Sequence, residues 1–142
     1  MEMTASQLRE AVRQRAGFRC EYCQFPEPFA ELRFQVDHVV PQQHGGQTTA
    51  ANLAFSCLRC NKHKGPNLSG IDAVTGQIVR LFNPRADDWA EHFQWDGSRL
   101  GGRTPVGRAT VNVLQINRAD AVLVREALME EGVYFGQHER GK

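Results

Sequence analysis

The chain has 142 residues and a mass of 16.0 kDa, with 41% hydrophobic residues, 23% charged residues and a net charge of +1. That is the length of one ordinary domain; the chain is too apolar for wholesale disorder and too balanced in charge for a polybasic coat or an acidic solvating tail. Nucleic acid stays open as a partner, because local patches rather than totals meet a phosphate backbone.

Met1–Glu10 lacks the basic-then-apolar order of a secretory signal, and no run of about 18 apolar residues exists, so no membrane association and a cytoplasmic location are expected. Residues 4–16 predict a helix capped by Thr4, with Leu8, Val12 and Ala16 on one face and Gly17 at its end. The run Cys20-Glu21-Tyr22-Cys23 follows, and Pro26 and Pro28 break regular structure after it. Leu32 to Val40 alternates through Leu32, Phe34 and Val36 and then turns apolar, which predicts a strand stopped by Pro41. Gln42 to Ala50 is a loop around Gly45-Gly46, and Leu53 to Ser56 a second short strand. Cys57-Leu58-Arg59-Cys60 opens a helical turn through Asn61, Lys62, His63 and Lys64, which Gly65-Pro66 stops.

Beyond it, Ile71 to Phe82 reads as a hairpin around Thr75-Gly76, with Ile78, Val79, Leu81 and Phe82 as its apolar content. Asp87 to Trp95 is a helical turn leading into a strand. Thr104-Pro105 has the cap-then-proline order of a helix start, although Val111 and Val113 also fit a strand. Asp120 to Glu131 is a helix ended by Gly132, its buried stripe formed by Ala121, Val124 and Leu128.

The four cysteines fall in two C-x-x-C pairs, Cys20/Cys23 and Cys57/Cys60. Two disulfides would be unusual in a reducing compartment, and a thioredoxin-like redox pair needs one C-x-x-C in a βαβ setting that is missing here. Thiolates two residues apart can grip one ion from a tight knuckle, and two knuckles supply the four sulfurs of a tetrahedral structural Zn2+ site. Residues 24–56 separate the knuckles, a longer insert than the roughly 15–20 residues of a simple zinc ribbon. Chemistry is therefore sought in the insert.

The insert carries Asp37-His38-Val39-Val40-Pro41, Gly45-Gly46 and Asn52-Leu53, and Asn61 follows Cys60 directly. In order with the knuckles, over residues 13–66, this set resembles the HNH endonuclease family in its zinc-knuckle branch, with a ββα-metal fold. The resemblance implies that His38 is the general base, that Asp37 and Asn61 hold the catalytic ion, and that Asn52 braces the histidine-bearing loop through hydrogen bonds. It also implies cleavage that leaves a 3′ hydroxyl and a 5′ phosphate. The family's last position is often His, and here it is Asn61.

Elementary chemistry runs the same way. Cutting a phosphodiester needs an activated water and neutralisation of charge on the phosphate. An imidazole, titrating near ~6.5, can take the water's proton. A carboxylate and an amide oxygen suit a hard ion such as Mg2+ or Mn2+ rather than Zn2+, Ni2+ or Co2+. Arg59, Lys62 and Lys64 around the second knuckle, and Arg13, Arg15 and Arg19 before the first, are candidate phosphate contacts. His63 points elsewhere on a helix than Asn61, His44 sits in an exposed loop, His92 lies among aromatics and His138 near the C-terminus. Trp89, Phe93 and Trp95 could stack on bases but read as core.

The expected fold is α+β: a small ββα-metal core stapled by the four-cysteine zinc site (residues 1–66) with a C-terminal α/β extension packed on it (67–142). The expected function is divalent-metal-dependent hydrolysis of nucleic acid, taken as DNA. The competing expectation is a non-catalytic zinc ribbon that binds nucleic acid or a protein partner.

Overall fold

The computed structural model describes residues 3–136. The chain begins with helix α1 (Ala5–Arg15), started by a capping box in which Thr4 and Gln7 each accept the other's backbone N–H. Strand β1 (Gln35–His38) pairs antiparallel with β2 (Leu53–Ser56), in a register that sets His38 opposite Leu53 and Asp37 opposite Ala54. Helix α2 (Leu58–Lys64) follows at once, Cys57 acting as its cap through a sulfur that accepts from the Cys60 N–H. These three elements form the expected ββα unit, and α1 lies against both strands.

β1 is shorter than the sequence pattern suggested. Leu32 is 65% exposed and outside the strand, while Phe34 turns inward onto Phe55 and Phe25. The alternation that predicted a longer strand leaned on Phe34, which turns inward just before β1 begins. There the side chain of Glu27 accepts the Phe34 N–H, and Arg9 donates to the Phe34 carbonyl.

The second half forms two hairpins and two helices. The first hairpin joins β3 (Ser69–Ile71) to β4 (Ile78–Arg80); α3 (Trp89–His92) then leads into β5 (Phe93–Asp96), which pairs with β6 (Arg99–Gly102). α4 (Pro105–Val113), capped by Thr104, settles the helix-or-strand ambiguity of Val111 and Val113 in favour of helix. In α5 (Ala119–Glu130) the buried positions are Ala121 and Arg125, while Val124 is 45% exposed. The predicted apolar stripe is thus displaced, because the Arg125 guanidinium turns inward over Trp95 and donates to the carbonyls of Ser98 and Ile116 and to Asn117.

Trp89, Phe93 and Trp95 pack among themselves and onto Phe82 and Phe135, so they are core. This core is continuous across the two halves: Cys20, Tyr22 and Phe55 share one buried cluster with Phe82, Phe93 and Leu114. Polar ties cross the same boundary. Trp89 Nε1 donates to the Tyr22 carbonyl at 2.8 Å, and Arg85 pairs with Glu21 of the first knuckle.

The run Gly107-Arg108-Ala109-Thr110 has a structural explanation. A Cβ on Gly107 would lie 2.0 Å from the His92 carbonyl oxygen, so only glycine lets α4 approach there. Thr110 Oγ1 accepts the Phe82 N–H and donates to the Val106 carbonyl. Arg108 grips the buried Asp72 with two nitrogens at 2.8 and 3.0 Å. That fork, aided by Thr75 and the Val74 N–H, holds the Asp72 carboxyl far below the ordinary carboxylate range. A depressed folded value stabilises the fold above the unfolded Asp value of about 3.9 and loses that contribution as pH falls. Arg108→Met is therefore expected to lower Tm at pH 7, with the gap to the parent narrowing below about pH 4; a gap constant with pH in thermal melts would refute this.

Candidate active site and metal centre

The four cysteine sulfurs lie within 4.8 Å of one another and all four residues are buried, although they arrive from two turns far apart in sequence. Cys23 Sγ and Cys57 Sγ are 3.7 Å apart, far beyond a disulfide bond and close to the ~3.8 Å edge of a tetrahedron with metal–sulfur bonds of ~2.3 Å. All four thiols are free. Backbone N–H groups of Cys23 and Cys60 point at the sulfurs of Cys20 and Cys57, at 3.5 and 3.4 Å. Sulfur hydrogen bonds shared with Cys20 push the Cys23 and Cys60 thiols well up. Four crowded sulfurs cannot all ionise without a cation between them, and the donor set fits one soft, tetrahedral divalent ion.

The second cluster lies where β1 ends. Asp37 and His38 are its last two residues, and α2 packs against that strand. The loop beyond is braced by Asn52, whose side chain accepts the Val40 N–H at 2.9 Å and donates to the carbonyls of Val40 and Gln47 at 3.0 and 2.9 Å. Gly46 is needed for this closure, since a Cβ there would lie 1.7 Å from the Val40 carbonyl oxygen. The His38 ring is held through Nε2, 2.8 Å from Thr48 Oγ1, which also accepts from Gln42 at 3.4 Å. Thr48 escaped the sequence reading, because nothing local distinguishes it from any other loop threonine.

Asp37 is half-buried. Burial raises its carboxyl, opposed by the charge of Lys64, and its Oδ2 is buried without a hydrogen-bond partner among the described residues. The Tyr22 hydroxyl is likewise unpartnered; burial and then the Asp37 charge push its pKa well up. A buried carboxylate oxygen with no hydrogen bond, met only by the Lys64 ammonium at 3.8 Å, keeps a lone pair that an oxygen-seeking cation would satisfy. Asn61, one turn before Lys64 on α2, has no hydrogen bond to its side-chain amide among the described residues. Asp37 and Asn61 thus offer hard oxygen donors on two elements that pack together.

Lys64 corrects the sequence reading. It was expected to reach phosphate, yet it is 2% exposed, with Nζ 3.8 Å from Asp37 Oδ2 and donating to the His38 carbonyl at 3.3 Å. The reason is helical: Lys64 follows Cys60 by four residues and shares the inward face that the cysteine defines. It ties α2 to the end of β1, and so fixes the Asn61 turn relative to Asp37 and His38. Lys64→Met keeps the length and the apolar packing but loses the ammonium. The expected result is a ~10–100-fold loss in Mg2+-dependent activity or in Mn2+ affinity with the metal of the cysteine site retained; unchanged Mn2+ binding by electron paramagnetic resonance would refute it.

The other basic residues divide. Arg13 pairs with Glu27 at 2.7 Å, Arg15 donates to the Ala50 and Leu53 carbonyls, and Arg19 to the Gln24 carbonyl, so these three brace the fold. Arg59 and Lys62 are exposed, and Arg59 is paired with Asp120. His92 packs against Phe82 and meets Thr104, as its aromatic surroundings suggested. His44 lies exposed in its loop, and His138 lies outside the described residues.

Asp37-His38, Asn52 and Asn61 thus belong to one ββα unit, with the Cys20/Cys23 turn brought to its second knuckle, over the stretch that family comparison also selects. Residues 20–67 match the family model of the HNH endonucleases. The HNH match points to nuclease chemistry on nucleic acid and covers a minority of the chain. Over 124 residues the chain is also 25% identical to the Septu protein PtuB of Bacillus thuringiensis, an alignment that takes in 86% of this chain and 46% of that relative. The chain therefore spans about half the length of that relative, and the aligned stretch extends well beyond the HNH residues. No solved structure matches. No helix among the described residues is long and apolar enough to cross a membrane.

Proposed function

We propose that this protein is a divalent-metal-dependent endonuclease that hydrolyses DNA phosphodiester bonds in the cytoplasm, with a structural Zn2+ on Cys20, Cys23, Cys57 and Cys60. The observation that carries the reading is the end of β1: a histidine beside a half-buried carboxylate whose Oδ2 makes no hydrogen bond among the described residues, on a strand packed against the helix that carries Asn61. A zinc ribbon with no catalytic task has no use for that combination.

In this reading Asp37 and Asn61 hold Mg2+ or Mn2+ through oxygen. The ion, when bound, polarises a phosphate oxygen and offsets charge on the leaving oxygen. The His38 ring, oriented by Thr48, accepts a proton from the attacking water. Asn52 touches no substrate; it keeps the Val40 backbone, and so the strand end, in position. Lys64 holds β1 and α2 together behind the site.

The test is nicking of supercoiled plasmid by purified, zinc-loaded protein. Cleavage should require added Mg2+ or Mn2+ and stop at a chelator concentration that leaves one zinc per chain by elemental analysis. DNA binding without cleavage in any divalent ion would favour the non-catalytic ribbon instead.

A further inference from the structure

Helix α2 has a second face. Arg59, Lys62 and His63 stand at i, i+3 and i+4, on the side away from Cys57, Cys60 and Lys64. The start of α5 comes to the same place. Asp120 Oδ2 is 2.9 Å from Arg59 Nη2, and Asp120 Oδ1 is 3.6 Å from Arg118 Nε. The His63 ring feels the group: burial lowers its pKa first, and the charges of Arg118, Lys62 and Arg59 lower it further against Asp120. Two guanidinium groups, Arg59 and Arg118, thus flank a single carboxylate at the seam between α2 and the C-terminal half, with Lys62 on the same face of α2 as Arg59.

The ion pairs there are poor structural ties. The side chains of Arg59, Arg118 and Asp120 are 44%, 50% and 55% exposed, the regime in which ion pairs contribute little to stability. A carboxylate between two guanidinium groups is also the arrangement a phosphate would take over, since guanidinium forks fit both anions. We infer that Arg59, Lys62 and Arg118 form a second contact for a nucleic-acid phosphate backbone, built jointly by α2 and the start of α5, in which Asp120 occupies the phosphate position until substrate arrives. This rests on the nuclease reading above and extends it to a residue, Arg118, that lies outside the HNH match.

The test measures binding of a fluorescent 20-base-pair DNA duplex by anisotropy across a salt series, with the full zinc-loaded chain and no added Mg2+. Arg118→Gln and Lys62→Gln should each weaken binding and lower the slope of log K against log[salt] by about 1. Asp120→Asn should tighten binding several-fold at low salt. Arg33→Gln, an exposed arginine among Glu10, Glu27 and Glu31, is the control and should change neither. The same series on an RNA duplex of equal length tells which backbone is preferred. Unchanged slopes for Arg118→Gln and Lys62→Gln, an equal loss for Arg33→Gln, or weaker binding by Asp120→Asn would each overturn the inference while metal-dependent nicking by the parent upholds the nuclease reading. Absence of both binding and nicking in the parent would overturn the two together.

Discussion

Stripping the metal from the four cysteines, or replacing Cys60 by Ser, is expected to unfold the protein as a whole rather than loosen one loop. A structural zinc site is worth about 10–16 kcal/mol in finger peptides, and a domain of this kind has about 5–15 kcal/mol of net stability, so the metal is comparable with everything else combined. The four sulfurs sit inside the core: Cys20 is 0% and Cys60 2% exposed, and the Tyr22 ring between the knuckle cysteines packs edge-on against Phe82. Losing the first knuckle removes the acceptors for Trp89 and Arg85, so melting should spread into the C-terminal half. Circular dichroism of chelated protein, or of Cys60→Ser, should show no cooperative transition where the zinc-loaded parent shows one. A chelated sample with the parent's Tm would remove the metal from the account of the fold.

His38→Ala is expected to reduce metal-dependent nicking by about 10^2–10^4-fold, the usual contribution of a positioned general base. The same change should leave zinc content and Tm close to the parent's. The side chain is half-exposed at the end of β1, and among the described residues it hydrogen-bonds to Thr48 alone, so the substitution removes chemistry and little packing. Partial rescue by added imidazole would mark the loss as that of a base. Equal cleavage by parent and variant would mean that the base is another group or that the activity is a contaminant.

Helix α1 and its cap, the strand Leu53–Ser56, the Thr104-Pro105 helix start and both cysteine turns were legible as local patterns, because periodicity, capping and turn chemistry act over a few residues. So was the coexistence of Asp37, His38, Asn52 and Asn61 between and after the knuckles. The short length of β1 was not, since one buried Phe34 imitated a strand's alternation. Nor was the inward turn of Arg125, which depends on carbonyls from β6's hairpin and from the chain after α4.

The sequence by itself determined the donor set of the cysteine site, the order of the ββα unit and the residue types at the end of β1, since each is a matter of which side chain stands at which spacing. Only the tertiary structure decided that Lys64 braces the strand end instead of meeting phosphate, that Thr48 holds the His38 ring, and that Arg118 and Asp120 come to Arg59. These outcomes depend on segments that meet after long excursions of chain, and such meetings leave no period or spacing to read. The near-neutral total charge also changes meaning: cations at residues 9, 13, 15 and 19 are used inside the fold, while Arg59 and Lys62 stand exposed on one face of α2.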